Sequence, residues 1–97
     1  MNKYVMLMNF TEKGVAHIQQ SPDRAEAFMA AARKLGAKVE MDLWTIGPFD
    51  GVAIVEAPDD ETMSAVVLSV AKLGNVKTCT MRGYDIASIR KIIAKVP

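Results

Sequence analysis

VEMDLWTIGPFDGVAIVEA, Val39 to Ala57, is the stretch on which the fold turns. Its first half alternates. Val39, Met41 and Leu43 make one apolar face and Glu40, Asp42 and Trp44 the other, as on a strand with one side against a core. Gly47-Pro48-Phe49-Asp50-Gly51 follows, a cluster of residue types that supply turn backbone angles and local hydrogen bonds. Asp50 is expected to bond its own backbone there. Val52 to Ala57 is apolar on both faces, the pattern of a strand covered from both sides. Lys38–Ile46 and Val52–Ala57 therefore read as a hairpin.

The chain on either side of the hairpin repeats one rhythm, a strand-like run and a helix-like run. Upstream, Lys3 to Phe10 reads as a strand, with Tyr4, Met6, Met8 and Phe10 on one face and Val5 and Leu7 on the other. Thr11 to Gln20 is a connector in which Thr11 caps a short helical turn. Ser21-Pro22-Asp23 then places an N-cap, a first-turn proline and a first-turn acid in sequence. Ala25, Phe28, Met29, Ala32 and Leu35 continue as one helical stripe that stops at Gly36. Downstream, Pro58 and Asp59 end the hairpin and start a helix with Met63, Val66, Val67, Val70 and Leu73 on its stripe, stopped by Gly74. Val76 to Tyr84 is a fourth strand, with Cys79 and Met81 facing the helices and Thr78, Thr80, Arg82 and Tyr84 facing away. Asp85 caps a last helix that buries Ile86, Ile89, Ile92, Ile93 and Val96.

The fold class is α+β, a ferredoxin-like β-α-β-β-α-β order with an extra C-terminal helix, in one domain over residues 1–97. Right-handed crossovers put both helices on one face of a four-stranded antiparallel sheet, with the first and third strands central. On this reading the other face carries Glu40, Asp42, Trp44, Thr78, Thr80, Arg82 and Tyr84 at its edges and apolar residues in its middle. An uncovered apolar face is unfavourable by about 25 cal/mol per Å². A second copy packed sheet to sheet removes that cost, so the expected state is a homodimer or larger.

Composition narrows the function classes. Lys plus Arg, 12, against Asp plus Glu, 11, leaves a formal charge of +1, which gives no basic surplus for nucleic acid. No apolar run is long enough to span a membrane and no signal-peptide pattern opens the chain, so a cytoplasmic protein is expected. The single cysteine forms no intrachain disulfide, and one His with one Cys does not build a structural zinc site. Neither a metal nor another cofactor is called for.

Four stretches carry a family resemblance: SPDRAEAF (Ser21 to Phe28), KLGAKV (Lys34 to Val39), WTIGPFDGVAIVEAPDDE (Trp44 to Glu61) and LGNVKT (Leu73 to Thr78). Through them the chain resembles the GYD domain family of the dimeric α/β-barrel superfamily. Two segments compete for the family's naming motif, Gly47-Pro48-Phe49-Asp50 in the hairpin, with Phe for Tyr, and the literal Gly83-Tyr84-Asp85. The resemblance implies the fold and a dimer, and no reaction.

The residues themselves allow two functions. In one, a small molecule binds in a cleft between the sheet and a partner subunit. Trp44 stacks on it, Thr80, Arg82 and Tyr84 line the cleft, Arg82 holds an anionic group, and Asp42 or His17 is the general acid–base. The plainer account of the same residues is a salt bridge from Asp42 to Arg82 across a dimer, a packed Trp44 and a surface His17. In the other, the chain is a non-catalytic interaction or regulatory module, since no nucleophile–base pair occurs at a useful spacing. The sequence does not decide whether the protein is an enzyme.

Overall fold

The computed structural model describes residues 1–97. In chain order the elements are β1 (Asn2–Phe10), α1 (Glu12–Ala16), a 3₁₀ turn (Ile18–Gln20), α2 (Ser21–Lys34), β2 (Lys38–Trp44), β3 (Gly51–Ala57), α3 (Asp60–Ala71), β4 (Val76–Gly83) and α4 (Ile86–Ile93). The four strands form one antiparallel sheet in the order β2-β3-β1-β4. The expected ferredoxin-like arrangement is present, with β1 and β3 in the centre.

The core lies between the sheet and helices α2 and α3. It is built from Tyr4 and Met6 of β1, Ala53, Val55 and Ala57 of β3, Phe28 and Ala32 of α2, Ala37, and Met63 and Val66 of α3. Alanines on β3 and α2 let the helix approach the sheet closely, and Phe28 and Met6 fill the space between them. Local chemistry sets the helix ends. Thr11, Asp59 and Asp85 cap α1, α3 and α4 by accepting from Gly14 N, Thr62 N and Ser88 N. Gly36 and Gly74, at φ 87° and 76°, turn the chain out of α2 and α3 where a side chain would be strained.

Gly14 has another role. A Cβ on it would overlap Asn75 O, so α1 can sit against the loop before β4 only with no side chain there. Thr11 fastens the same contact, its N–H donating to Asn75 O at 3.1 Å and its hydroxyl to Gly74 O at 2.7 Å.

Three local expectations change. Ser21 does not cap α2, because the 3₁₀ turn runs straight into the helix and Gln20 is already helical. Asp50 does not close its own turn; its Oδ2 accepts from Phe10 N at 2.9 Å and ties the hairpin to β1. The apolar stripe of α4 is not buried. Ile86, Ile93 and Val96 are 71, 60 and 65% exposed, Ile89 and Ile92 are each 38% exposed, and α4 makes no substantial contact with any other element. The chain is consequently long, 51 × 31 × 18 Å, with a Cα radius of gyration of 14.5 Å. A compact chain of this length has about 12.5 Å. No helix is long and apolar enough to cross a membrane.

Candidate functional site

The register decides which residues face which way, because directly paired residues in antiparallel strands share a face. Tyr4, Met6 and Met8 point into the helical core. Their partners on β4 are Arg82, Thr80 and Thr78, so these three lie on the helix side. The sequence-based assignment of β4 was therefore inverted. Cys79 and Met81, paired with Leu7 and Val5, face the open side, and Cys79 is exposed rather than buried under the helices. On β2 the cause is a bulge. Val39 pairs with core-facing Val55, Glu40 has no partner, and Met41 resumes pairing opposite Ile54. The extra residue puts Met41 and Leu43 on the open face and Asp42 and Trp44 on the helix side, where Trp44 stays half exposed at the sheet edge.

The open face is more apolar than expected. One row across the four strands is Met41, Ile54, Val5 and Met81; the next is Leu43, Val52, Leu7 and Cys79. Met41, Leu43 and Met81 are about half exposed, at 50, 50 and 47%. The block ends at a charged row in which Lys3 Nζ meets Glu56 at 2.9 Å and Glu40 at 3.3 Å. This pairing raises the Lys3 pKa, and Glu56 is correspondingly lowered by Lys3. At about 4.8 Å between strands and 3.4 Å per residue, the two apolar rows project to roughly 260 Å² and the whole face to about 500 Å².

The residues predicted to share one cleft fall into two sites, both on the helix side and at opposite sheet edges. At the β2 edge, Trp44 Nε1 donates to Ser21 Oγ at 2.9 Å, which explains a buried serine at the start of α2. Beside it is a cavity of about 70 Å³ lined by Asp42, Arg24, Phe28, Met8 and Phe10 among others. Burial raises the Asp42 carboxyl above its ordinary pKa. Arg24 is committed to carbonyls, donating to His17 O at 2.9 Å and Gly14 O at 3.2 Å.

At the β4 edge, a groove of about 520 Å³ runs between α3 and β4, lined by Tyr4, Asp60, Met63, Leu68, Thr80 and Arg82 among others. Tyr4 donates to Asp60 Oδ1 at 2.5 Å. Burial, then that bond, pushes the Tyr4 phenol up. The Arg82 guanidinium lies 5.7 Å from the Tyr4 ring and 5.1 Å from that of Tyr84, and 3.9 Å from Asp60. Thr80 Oγ1 is buried without a hydrogen-bond partner. The Asp42–Arg82 pair is not formed within the chain, and its members occupy different sites. His17 is exposed at the C-terminal end of α1 and lines neither site; only its carbonyl meets one, through Arg24. No group of three or more His, Cys, Asp or Glu is arranged to hold a metal ion.

Tyr4 and Asp60 were not singled out from the sequence. Tyr4 reads there as one of an apolar row, and only the register puts its hydroxyl beside Asp60 and its ring under Arg82.

Comparison with known proteins agrees with this fold. The GYD domain family model matches residues 4–93. A protein of Thermus thermophilus described as "glutamine synthetase and cystathionine beta-lyase binding protein" is 30% identical over 90 residues, covering 92% of this chain and 95% of that protein. The crystal structure of TTHA0845 from Thermus thermophilus superposes with a TM-score of 0.58 at 24% identity, over 88% of this chain and 95% of that one. This last likeness bears on the fold alone.

Proposed function

The chain belongs to the GYD domain family, and on that premise we propose that it is a cytoplasmic, self-associating module that works by binding other proteins rather than by catalysis. The observation that carries this reading is the open sheet face, two complete rows of apolar side chains across four strands. Such a face is self-complementary, and a second copy laid against it removes both from water. The residues of the small-molecule reading lie elsewhere, so a cleft between this face and a partner subunit would contain none of Asp42, Trp44, Thr80 or Arg82. The relative that binds two enzymes supports a role in protein association. We extend it to this chain: glutamine synthetase and cystathionine β-lyase from the same source are its candidate partners.

The test is sedimentation velocity of the chain alone and mixed with each enzyme at micromolar concentration. A dimer or larger that co-sediments with either enzyme is the expected result. An assembly that binds neither removes the partner assignment, and a monomer that binds neither removes the whole reading.

One observation keeps a second reading. Thr80 Oγ1 lacks a partner in the groove that also holds Arg82, and a buried unpaired hydroxyl is unfavourable by about 1–3 kcal/mol. A small anionic molecule bound there would satisfy it. Protection of Arg82-dependent thermal stability by such a molecule, lost in Arg82→Ala, is the measurement that would favour this reading.

A further inference from the structure

We propose that α4 is an exchange arm, its isoleucine stripe seated in the α3–β4 groove of a second copy of this chain. The inference deepens the self-association reading by giving the assembly a second contact.

Four observations converge on it. First, α4 is amphipathic yet unpartnered. Ile86, Ile89, Ile93 and Val96 recur at helical spacing along one side, with Ile92 beside them, and α4 makes no substantial contact within its own chain. A free helix this short is not stable in water by itself, so its apolar side needs a partner. Second, the connection from β4 is only Tyr84 and Asp85, and Asp85 is extended while it caps Ser88 N. This holds α4 away from its own body, the arrangement from which domain exchange arises.

Third, area. The open face projects to about 500 Å², and an arm seated across the pair adds buried apolar surface beyond that face. The arm supplies a further contact. Fourth, the groove suits the arm. Its apolar walls on the helix side include Met63, Val67 and Leu68, and Leu68 is 66% exposed. Asp60 and Glu61 lie in the first turn of α3 at one end of it. From Ile86 to Pro97 the arm carries Arg90, Lys91 and Lys95 and no acid. The groove's own cation, Arg82, lies between the Tyr4 and Tyr84 rings and 3.9 Å from Asp60, which leaves Glu61 as the acid free to face the arm's cations.

The experiment pairs Leu68→Cys with Ile89→Cys in a Cys79→Ala background, with mild oxidation and a non-reducing gel. A covalent dimer is expected. A disulfide within one chain would show that α4 folds into its own groove, and no disulfide would show that it seats elsewhere; either overturns the arm. A second variant ends the chain at Asp85. Because α4 is external to the core, circular dichroism should show the sheet intact, while the dimer dissociation constant rises by roughly tenfold or more. An unchanged constant also overturns the arm. The mass of the unaltered chain separates the two levels: a monomer sinks self-association itself, whereas a dimer whose constant ignores the truncation sinks only the arm.

Discussion

Ile54→Lys tests the open face most directly. Ile54 sits in the middle of the row Met41, Ile54, Val5 and Met81. Its side chain contributes nothing to the helical core, so the substitution should leave the protomer folded. Full burial of an isoleucine is worth about 1.5–3 kcal/mol, and Ile54 is already partly covered within its own chain, so covering the rest adds about a third of that. Over the two rows of both protomers the gross gain is on the order of 10–20 kcal/mol, set against an association cost of about 4–15 kcal/mol. The margin is therefore modest. Lysine at 54 removes about 0.5–1 kcal/mol from each copy and introduces two ammonium groups into the contact, each with a penalty of several kcal/mol unless it reaches water. A loss of about 5 kcal/mol raises the dissociation constant by more than a thousandfold. Sedimentation velocity at micromolar concentration should show a monomer, with circular dichroism and the melting midpoint of the protomer nearly unchanged. A variant that keeps the parent's mass would refute the argument that this face is the contact.

Other outcomes follow from single contacts. Gly14→Ala should destabilise the chain by about 1–3 kcal/mol in urea unfolding, because the added methyl meets Asn75 O and α1 must move. Trp44→Phe and Ser21→Ala each remove the same hydrogen bond, worth about 0.5–1.5 kcal/mol, and the double variant should be markedly less destabilised than the sum of the two. Additivity would mean that the bond carries no energy. Asp42→Asn should raise the melting temperature at neutral pH. The folded-state pKa of Asp42 is raised by burial, so the parent gains stability as pH falls from that pKa toward the unfolded value. The advantage of the variant should accordingly shrink on acidification, and a pH-independent advantage would point to a cause other than desolvation.

The order of elements was legible because its signals are local. Thr11, Asp59 and Asp85 cap, Gly36 and Gly74 stop, and the alternation from Val39 to Ala57 marks a hairpin. The facing of the strands was not legible, for two reasons. Val5 and Leu7 are as apolar as Tyr4, Met6 and Met8, so composition does not tell the helix side of β1 from the open side, and β4 inherits the ambiguity through pairing. On β2 the bulge at Glu40 reverses the alternation in mid-strand, and nothing in Val39-Glu40-Met41 announces it. The candidate site suffered in the same way: Asp42, Trp44, Thr80 and Arg82 were recognised as notable but assigned to the wrong side of the sheet. The exposure of α4 was hidden by its amphipathic pattern, which specifies that a side is to be covered and not by which chain.

The bulge also says where this strand tolerates a change of length. Without Glu40, Val39 and Met41 would follow each other as ordinary strand neighbours pointing to opposite sides, which is how they already point. Deleting that one residue should therefore preserve every inward and outward assignment, at the loss of its surface contact to Lys3. Deleting any residue from Met41 to Trp44 would reverse part of the strand. In an alignment of distant relatives, a one-residue gap in this strand thus belongs at position 40, and a gap placed a step later would compare residues that lie on opposite sides of the sheet.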